Sequence, residues 1–261
     1  MMRLVTIPIS HYCEKARWAL DRAGIGYREE RHVQGIHRLA SRRAGGRGTV
    51  PVLVTDAGPV ADSAEIIDWV DRRLPSELRL VPENPDRAAE VRALCRRFDE
   101  VLGPAARRLI YVHMLDRPIA ELGFNNMGVP GWEDRALRLG WPAARMFVRH
   151  ALEIRPGVEV PDEAAVWDEL DAVAALLADG RPYLCGDRIT AADVTFASLA
   201  AAVVLPPGYG VLLPQPQELP PPTAELVLRA RSHPAGVYAL RLFAEERHVP
   251  AAAAAGTTGS G

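Results

Sequence analysis

The spacing of apolar residues changes character once along this chain, and that change limits the fold more than any other feature. Up to about residue 78, short β-branched runs alternate with helical stretches. From residue 88 onward, strand signal nearly vanishes and apolar residues recur at three-and-four spacing. In the first part, residues 3–9 (RLVTIPI) read as a buried strand, and Cys13 to Ala23 as a helix stopped by Gly24. Residues 26–33 (GYREERHV) read as a second, mostly polar strand. Residues 34–48, rich in Gly and Arg, read as a loop, or as a poorly formed helix and a loop. Thr49 to Val54 and Val60 to Asp62, joined by turn residues Thr55 to Gly58, form a hairpin. Asp62-Ser63 then opens a helix whose Ile66, Ile67, Val70 and Leu74 share one face until Pro75 ends it.

The second part follows a proline-punctuated linker at 79–87 and occupies 88–250. A long helical pattern runs from Ala88 to about Leu115, with Gly103-Pro104 as a kink. Residues 116–132 break the pattern, helix resumes over 133–153, and 155–162 form another loop. Val166, Leu170, Val173 and Leu177 align on a helix over 163–179. The best local signal of this half is Thr190-Ala191-Ala192-Asp193. Thr190 is an N-cap with Asp193 at N3, and Ile189 and Val194 fall at the staple positions. The helix that follows is apolar nearly all round and should be central. The proline cluster of 206–222 should be irregular, a last helix spans Ala235 to Arg247, and the tail 251–261 should be disordered.

Composition narrows the function. Across 261 residues, 31 basic side chains against 33 acidic ones give a net charge of −2, with no global pull toward nucleic acid or anionic membrane. Lys15 is the sole lysine, and with the Arg, Ala, Gly and Pro content this points to GC-rich coding of a bacterial kind. Cys13, Cys95 and Cys185 are scattered and odd in number, which excludes a disulfide framework, disfavours structural zinc and fits a reducing, cytoplasmic setting. No run of 18 apolar residues suggests a membrane span, and the N-terminus lacks a signal-peptide apolar region.

The β-α-β, β-β-α unit followed by helices resembles the glutathione S-transferase architecture, a thioredoxin-like domain (1–78) plus an all-helical domain. Ser10-His11-Tyr12-Cys13-Glu14-Lys15-Ala16-Arg17 follows the first strand, where the family places a catalytic Ser or Cys. Its spacing resembles the C-P-x-A/C-x-x-x-R pattern of omega and glutaredoxin-like members, with Ser10 in the first-Cys place. Val50-Pro51 matches the family's Val-cisPro, Asp62-Ser63 its acidic-Ser pair, Thr190 to Asp193 its buried capping box, and His233-Pro234 the start of its final helix.

The resemblance implies a Ser-type transferase that activates the glutathione thiol for attack on a small hydrophobic electrophile, in conjugation, dehalogenation or isomerisation. Ser10 would stabilise the thiolate, with Cys13 as the alternative. Cis geometry at Val50–Pro51 would present the Val50 N–H and C=O to the cysteinyl part, as strand addition does. Asp62 and Ser63, at a helix N-terminus, would take the γ-glutamyl end. His11 and Tyr12 adjoin. No metal is implied, glutathione is the co-substrate, and a homodimer is expected. Thr49 stands where the family often has Lys or Gln for the glycine carboxylate; Arg47 or another Arg in 38–47 would replace that charge. Tyr111, Met114, Phe124, Trp132 and Trp141 are candidate walls of an electrophile site between the domains. Two other readings stand beside this one: a non-catalytic transferase-like binding module, and a thiol reductase or lyase that uses Cys13.

Overall fold

The computed structural model describes residues 1–117 and 126–250. Phe124 and the tail 251–261 lie outside the described residues. The first unit is a four-stranded sheet in the order β2-β1-β3-β4. Strand β1 (Met2–Thr6) pairs in parallel with β2 (Tyr27–Arg31) and antiparallel with β3 (Val52–Thr55), which forms a hairpin with β4 (Gly58–Ala61). Leu4, Val5 and Thr6 are buried in succession, as expected of a strand covered on both faces. Helix α1 (His11–Arg22) makes the crossover to the parallel strand β2, α2 (Ile36–Arg43) precedes β3, and α3 (Ser63–Asp71) packs beside α1. The 34–48 stretch therefore holds a short helix of eight residues, without a side-chain cap at its start, followed by a loop. The linker is pinned by Asp71, whose carboxylate accepts the Leu80 and Val81 N–H groups at 2.9 and 2.7 Å.

The second unit is helical: α4 (Pro85–Arg97), α5 (Gly103–Met114), α6 (Gly131–Leu139), α7 (Trp141–Ala151), α8 (Glu159–Leu176), α9 (Ala191–Val204), α10 (Pro221–Ser232) and α11 (Pro234–Glu245). Helix α9 is the hub, buried on almost every side, with α1, α4, α5, α10 and α11 around it. Its predicted capping box is present. Asp193 accepts from Thr190 N–H (2.7 Å), Thr190 Oγ1 (2.8 Å), Leu184 N–H (2.8 Å) and Tyr238 Oη (2.5 Å), so a wholly buried carboxylate has four donors.

Several boundaries differ from the sequence reading, each for a physical reason. Asn84 caps α4 and draws its start to Pro85, inside the stretch read as linker. Gly140 divides the helix expected over 133–153 into α6 and α7. Helix α8 begins at Glu159 because Pro161 falls in its first turn, where the missing N–H costs nothing. Pro221 opens α10 in the same way, so a helix starts where only irregular chain was expected. The kink near Pro104 takes the form of a π turn over Phe98–Leu102, with the Gly103 N–H on the Phe98 carbonyl. In that register the Asp99 carbonyl would need the N–H of residue 104, which is a proline. The Tyr12 hydroxyl donates to it instead, at 2.9 Å.

Candidate functional site

Ser10 ends the irregular turn between β1 and α1 and serves as the N-cap of that helix. Its Oγ accepts the Cys13 N–H at 3.4 Å, so the hydroxyl proton stays available to donate. The turn itself has no sheet partner; the Ser10 N–H closes it onto Ile7 O at 3.1 Å, and its other acceptor capacity is filled from further away. Arg17 Nη2 donates to Pro8 O at 2.9 Å and to Ile7 O at 3.4 Å, and Tyr209 Oη donates to Ile9 O at 3.0 Å. Arg17 is fixed in turn by Glu14 (2.9 Å) and Glu29 (2.8 Å), and Glu14 also accepts Arg247 Nε at 2.5 Å. The Ser10 turn is thus held by α1, by the loop after α9 and by the turn that follows α11.

The second group sits at the start of β3. The Val50–Pro51 peptide bond is cis. Pro51 O accepts the Asp62 N–H at 3.2 Å, which brings the Val-Pro and Asp-Ser pairs side by side. Neither the Val50 N–H nor its C=O is taken up by a hydrogen bond among the described residues. Asp62 adopts φ 99°, a left-handed conformation uncommon for a residue with a side chain, and its Oδ1 caps α3 at Ala64 N–H (2.8 Å). Ser63 is buried as the first residue of that helix.

A cavity of about 370 Å³ opens between the two units. Ile7, Ile9, Ser10, His11 and Thr49 form one wall, α5 and α7 another, and α9 with the loop after it a third. Asp62, Ser63, Val50 and Pro51 do not line it. Thr49 joins them to it, lining the cavity immediately before Val50. Arg38 is the residue of the 38–47 stretch that reaches this space, whereas Arg47 is exposed elsewhere.

The remaining expected residues divide. Tyr111 lines the cavity, with its hydroxyl bonded to Gln34. Met114 lines a separate hollow of about 150 Å³. Trp132 is largely exposed, and Trp141 is not part of the wall. Tyr12 packs beneath the site: Gly103 leaves room for its ring, since a Cβ there would lie 2.4 Å from the Tyr12 hydroxyl. Cys13 is wholly buried away from the cavity, and burial pushes its thiol up to about 11. Burial, reinforced by the Arg107 charge, brings His11 down to about 3. Burial and then the Arg38 charge bring His37 down to about 4, so both are neutral at pH 7.

Sequence reasoning missed Phe147, Tyr209 and Arg107. A signal existed for two of them. Arg107, Ile110 and Tyr111 recur at helical spacing on α5, as do Phe147, Val148 and Ala151 on α7. Among the described residues, no three His, Cys, Asp or Glu side chains gather as a metal site. No described helix is long and apolar enough to cross a membrane.

Comparison with known proteins shows what the chain and its fold are similar to. Residues 4–78 match the model of the glutathione S-transferase N-terminal domain, and 162–224 that of the glutathione S-transferase C-terminal domain. A glutathione S-transferase of Pseudomonas putida is 25% identical over 198 residues, which span 75% of this chain and 72% of that protein. The fold is shared with a glutathione S-transferase of Xanthobacter autotrophicus (TM-score 0.61, 17% identity, 98% of this chain and 100% of that one). It is also shared with a Ceriporiopsis subvermispora glutathione S-transferase solved in complex with glutathione (TM-score 0.63, 18% identity, 95% and 98%).

Proposed function

The chain belongs to the glutathione S-transferase family, and we propose that it is an active, Ser-type member that delivers the glutathione sulfur to an apolar electrophile. The observation that carries this reading is the position of Ser10: a helix-capping hydroxyl with its proton free, facing an apolar cavity next to the Thr49–Val50–cis-Pro51 segment. The peptide's cysteinyl part would pair with the free Val50 backbone groups, as an added strand does. Its γ-glutamyl carboxylate would meet the α3 N-terminus at Ser63, its ammonium Asp62, and its glycine carboxylate Arg38. Burial of Cys13 supports Ser10 over the thiol as the working residue.

The Ser10 hydroxyl donates to the sulfur and favours the thiolate. A hydrogen bond to a charged group contributes about 1.5–3 kcal/mol, which lowers a thiol pKa by about 1–2 units. A thiol near 8.5 is about 3% ionised at pH 7, and one near 6.5 about 75%, so activation supplies at most roughly 25-fold. The rest comes from holding the electrophile against the sulfur. The thiol proton leaves to solvent, the sulfur bonds to the electrophilic carbon, and the leaving group departs with its electron pair.

Ser10→Ala tests the assignment. The thiol pKa of bound glutathione, followed by thiolate ultraviolet absorption, should rise by about 1–2 units, and turnover at pH 7 should fall by about 10- to 25-fold. An unchanged pKa and rate would remove Ser10 from the chemistry. The homodimer belongs to the same proposal and is checked by a light-scattering mass of twice the 28.5 kDa chain.

A further inference from the structure

The described wall of the cavity carries Arg38 and Arg107, the neutral His11 and His37, and no Asp or Glu. In a chain with more acidic than basic side chains, an acid-free wall around two guanidinium groups is a chemical statement about what enters. Arg38 sits on α2 beside the peptide segment, where the glycine carboxylate of glutathione would occupy it. Arg107, on α5, has no such partner.

Arg107 has no ion pair and no hydrogen-bond acceptor among the described residues, and its Nε is buried without a partner. Its one contact of note is with the Tyr12 ring, whose centroid lies 6.0 Å from the guanidinium carbon. Its neighbour shows how this chain treats an arginine whose role is purely structural, since Arg108 forks onto Asp162 at 2.8 and 2.6 Å. One residue away, on the cavity side of the same helix, the fork is left open. A guanidinium drawn partly out of water without a counter-ion is costly, and a ligand that supplies one recovers that cost. His11 beside it cannot compete as a cation, because it is neutral. Beyond Ser10, Gln34, Thr49 and two tyrosines the rest of the wall is apolar, with Ile110, Phe147 and Leu205 among its residues, and the volume of about 370 Å³ suits a small ring system.

We propose that Arg107 anchors a carboxylate carried by the electrophile, so that the second substrate is a small apolar, ring-sized carboxylic acid bound with its acid group at α5 and its reactive carbon toward Ser10. Arg is the residue suited to this role, because its planar fork meets both oxygens of a carboxylate. This inference rests on the transferase reading above, and its test separates the two.

Chlorodinitrobenzene and chlorodinitrobenzoate differ only by the carboxylate. With either, the glutathione sulfur bonds to the chlorine-bearing carbon and chloride leaves with the electron pair. The quantity read is the ratio of kcat/KM for the acid to that for the neutral compound, each divided by its rate with free glutathione. The expected ratio is about 10 or more in the parent protein. Arg107→Ala should lower it by about 10-fold, and Arg107→Lys should restore part of it. A ratio near one in the parent, or equal losses on both compounds in Arg107→Ala, would overturn the assignment, the second outcome placing Arg107 at the thiolate. Calorimetry without glutathione gives an independent arm: naphthoate should bind about 10-fold more tightly than naphthamide, and Arg107→Ala should abolish the difference. Naphthoate preference without glutathione-dependent turnover removes the transferase reading and supports this site. Turnover with neither preference removes the site and leaves the transferase.

Discussion

Glu14 offers the sharpest test of how the Ser10 turn is supported. Its carboxylate is wholly buried and holds three donors: Arg247 Nε at 2.5 Å, Arg17 Nη1 at 2.9 Å and Gly210 N–H at 3.1 Å. Glu14→Gln keeps the shape, removes the charge and sets an amide against two guanidinium groups. Removing one partner of a buried ion pair costs about 3–5 kcal/mol. Arg17 retains Glu29 and Arg247 retains Asp21, which places the expected loss at the lower end, about 3 kcal/mol. For a chain of this size each kcal/mol is worth about 2–4 °C, so the melting temperature should fall by about 6–12 °C. Denaturant unfolding of Glu14→Gln, Arg247→Met and the double variant measures the coupling directly. Residues in direct contact should couple by about 1.5 kcal/mol or more, whereas independent sites add within about 0.5. Glutathione-dependent turnover should also drop, because Arg17, once loosened, no longer fixes the Ile7 and Pro8 carbonyls. A loss of less than about 1 kcal/mol, or effects that simply add, would refute the claim that this cluster carries the turn.

Two further outcomes follow from the packing around α1. Gly103→Ala gains helix propensity of about 1 kcal/mol but drives its Cβ into the Tyr12 hydroxyl, so a net loss of about 2 kcal/mol is expected in denaturant unfolding. Tyr12→Phe should cost less in that background than alone, and equal costs would disprove the steric account. For His11, the unfolded chain binds a proton below about 6.5 while the folded chain does not until about 3, so its contribution to stability is complete above 6.5 and is lost as pH falls. Between pH 7 and 5 the parent should lose about 2 kcal/mol relative to His11→Gln, and parallel stability curves would show that His11 is not held neutral.

The legible parts of this molecule are those whose cause lies within a few residues. The capping box of Thr190 and Asp193 is a contact between N-cap and N3, and the apolar circumference of the following helix states its central place directly. The hairpin of β3 and β4 and the Asp62 cap of α3 are read the same way. Where the sequence pattern falls short, the missing partner is distant. Pro104 signals a break, but the π turn is completed by the hydroxyl of Tyr12, far back in the chain on α1. The prolines that mark 206–222 as irregular also open α10, because one residue type both ends regular structure and begins it.

The candidate site divides along the same line, and the division bears on its chemistry. Ser10, Val50-Pro51 and Asp62-Ser63 are visible in the sequence because strand ends and helix starts have local signatures. Their support is not, since a turn outside regular structure must find acceptors and donors one by one. Ile7, Pro8 and Ile9 each offer a carbonyl; the Ser10 N–H meets the first within the turn, and the other donors come from Arg17 and Tyr209. Tyr209 belongs to a proline-rich loop, and Arg247, which steadies Arg17 through Glu14, to the turn just past the last helix. Periodicity reports which face of an element is buried, but it carries no information on where a single polar side chain in a loop will find its partner. The helical half of the chain therefore does more than roof the cavity: Tyr209 and Arg247 hold the backbone that aims Ser10, so changes in the 206–222 loop should alter thiol activation as well as electrophile choice.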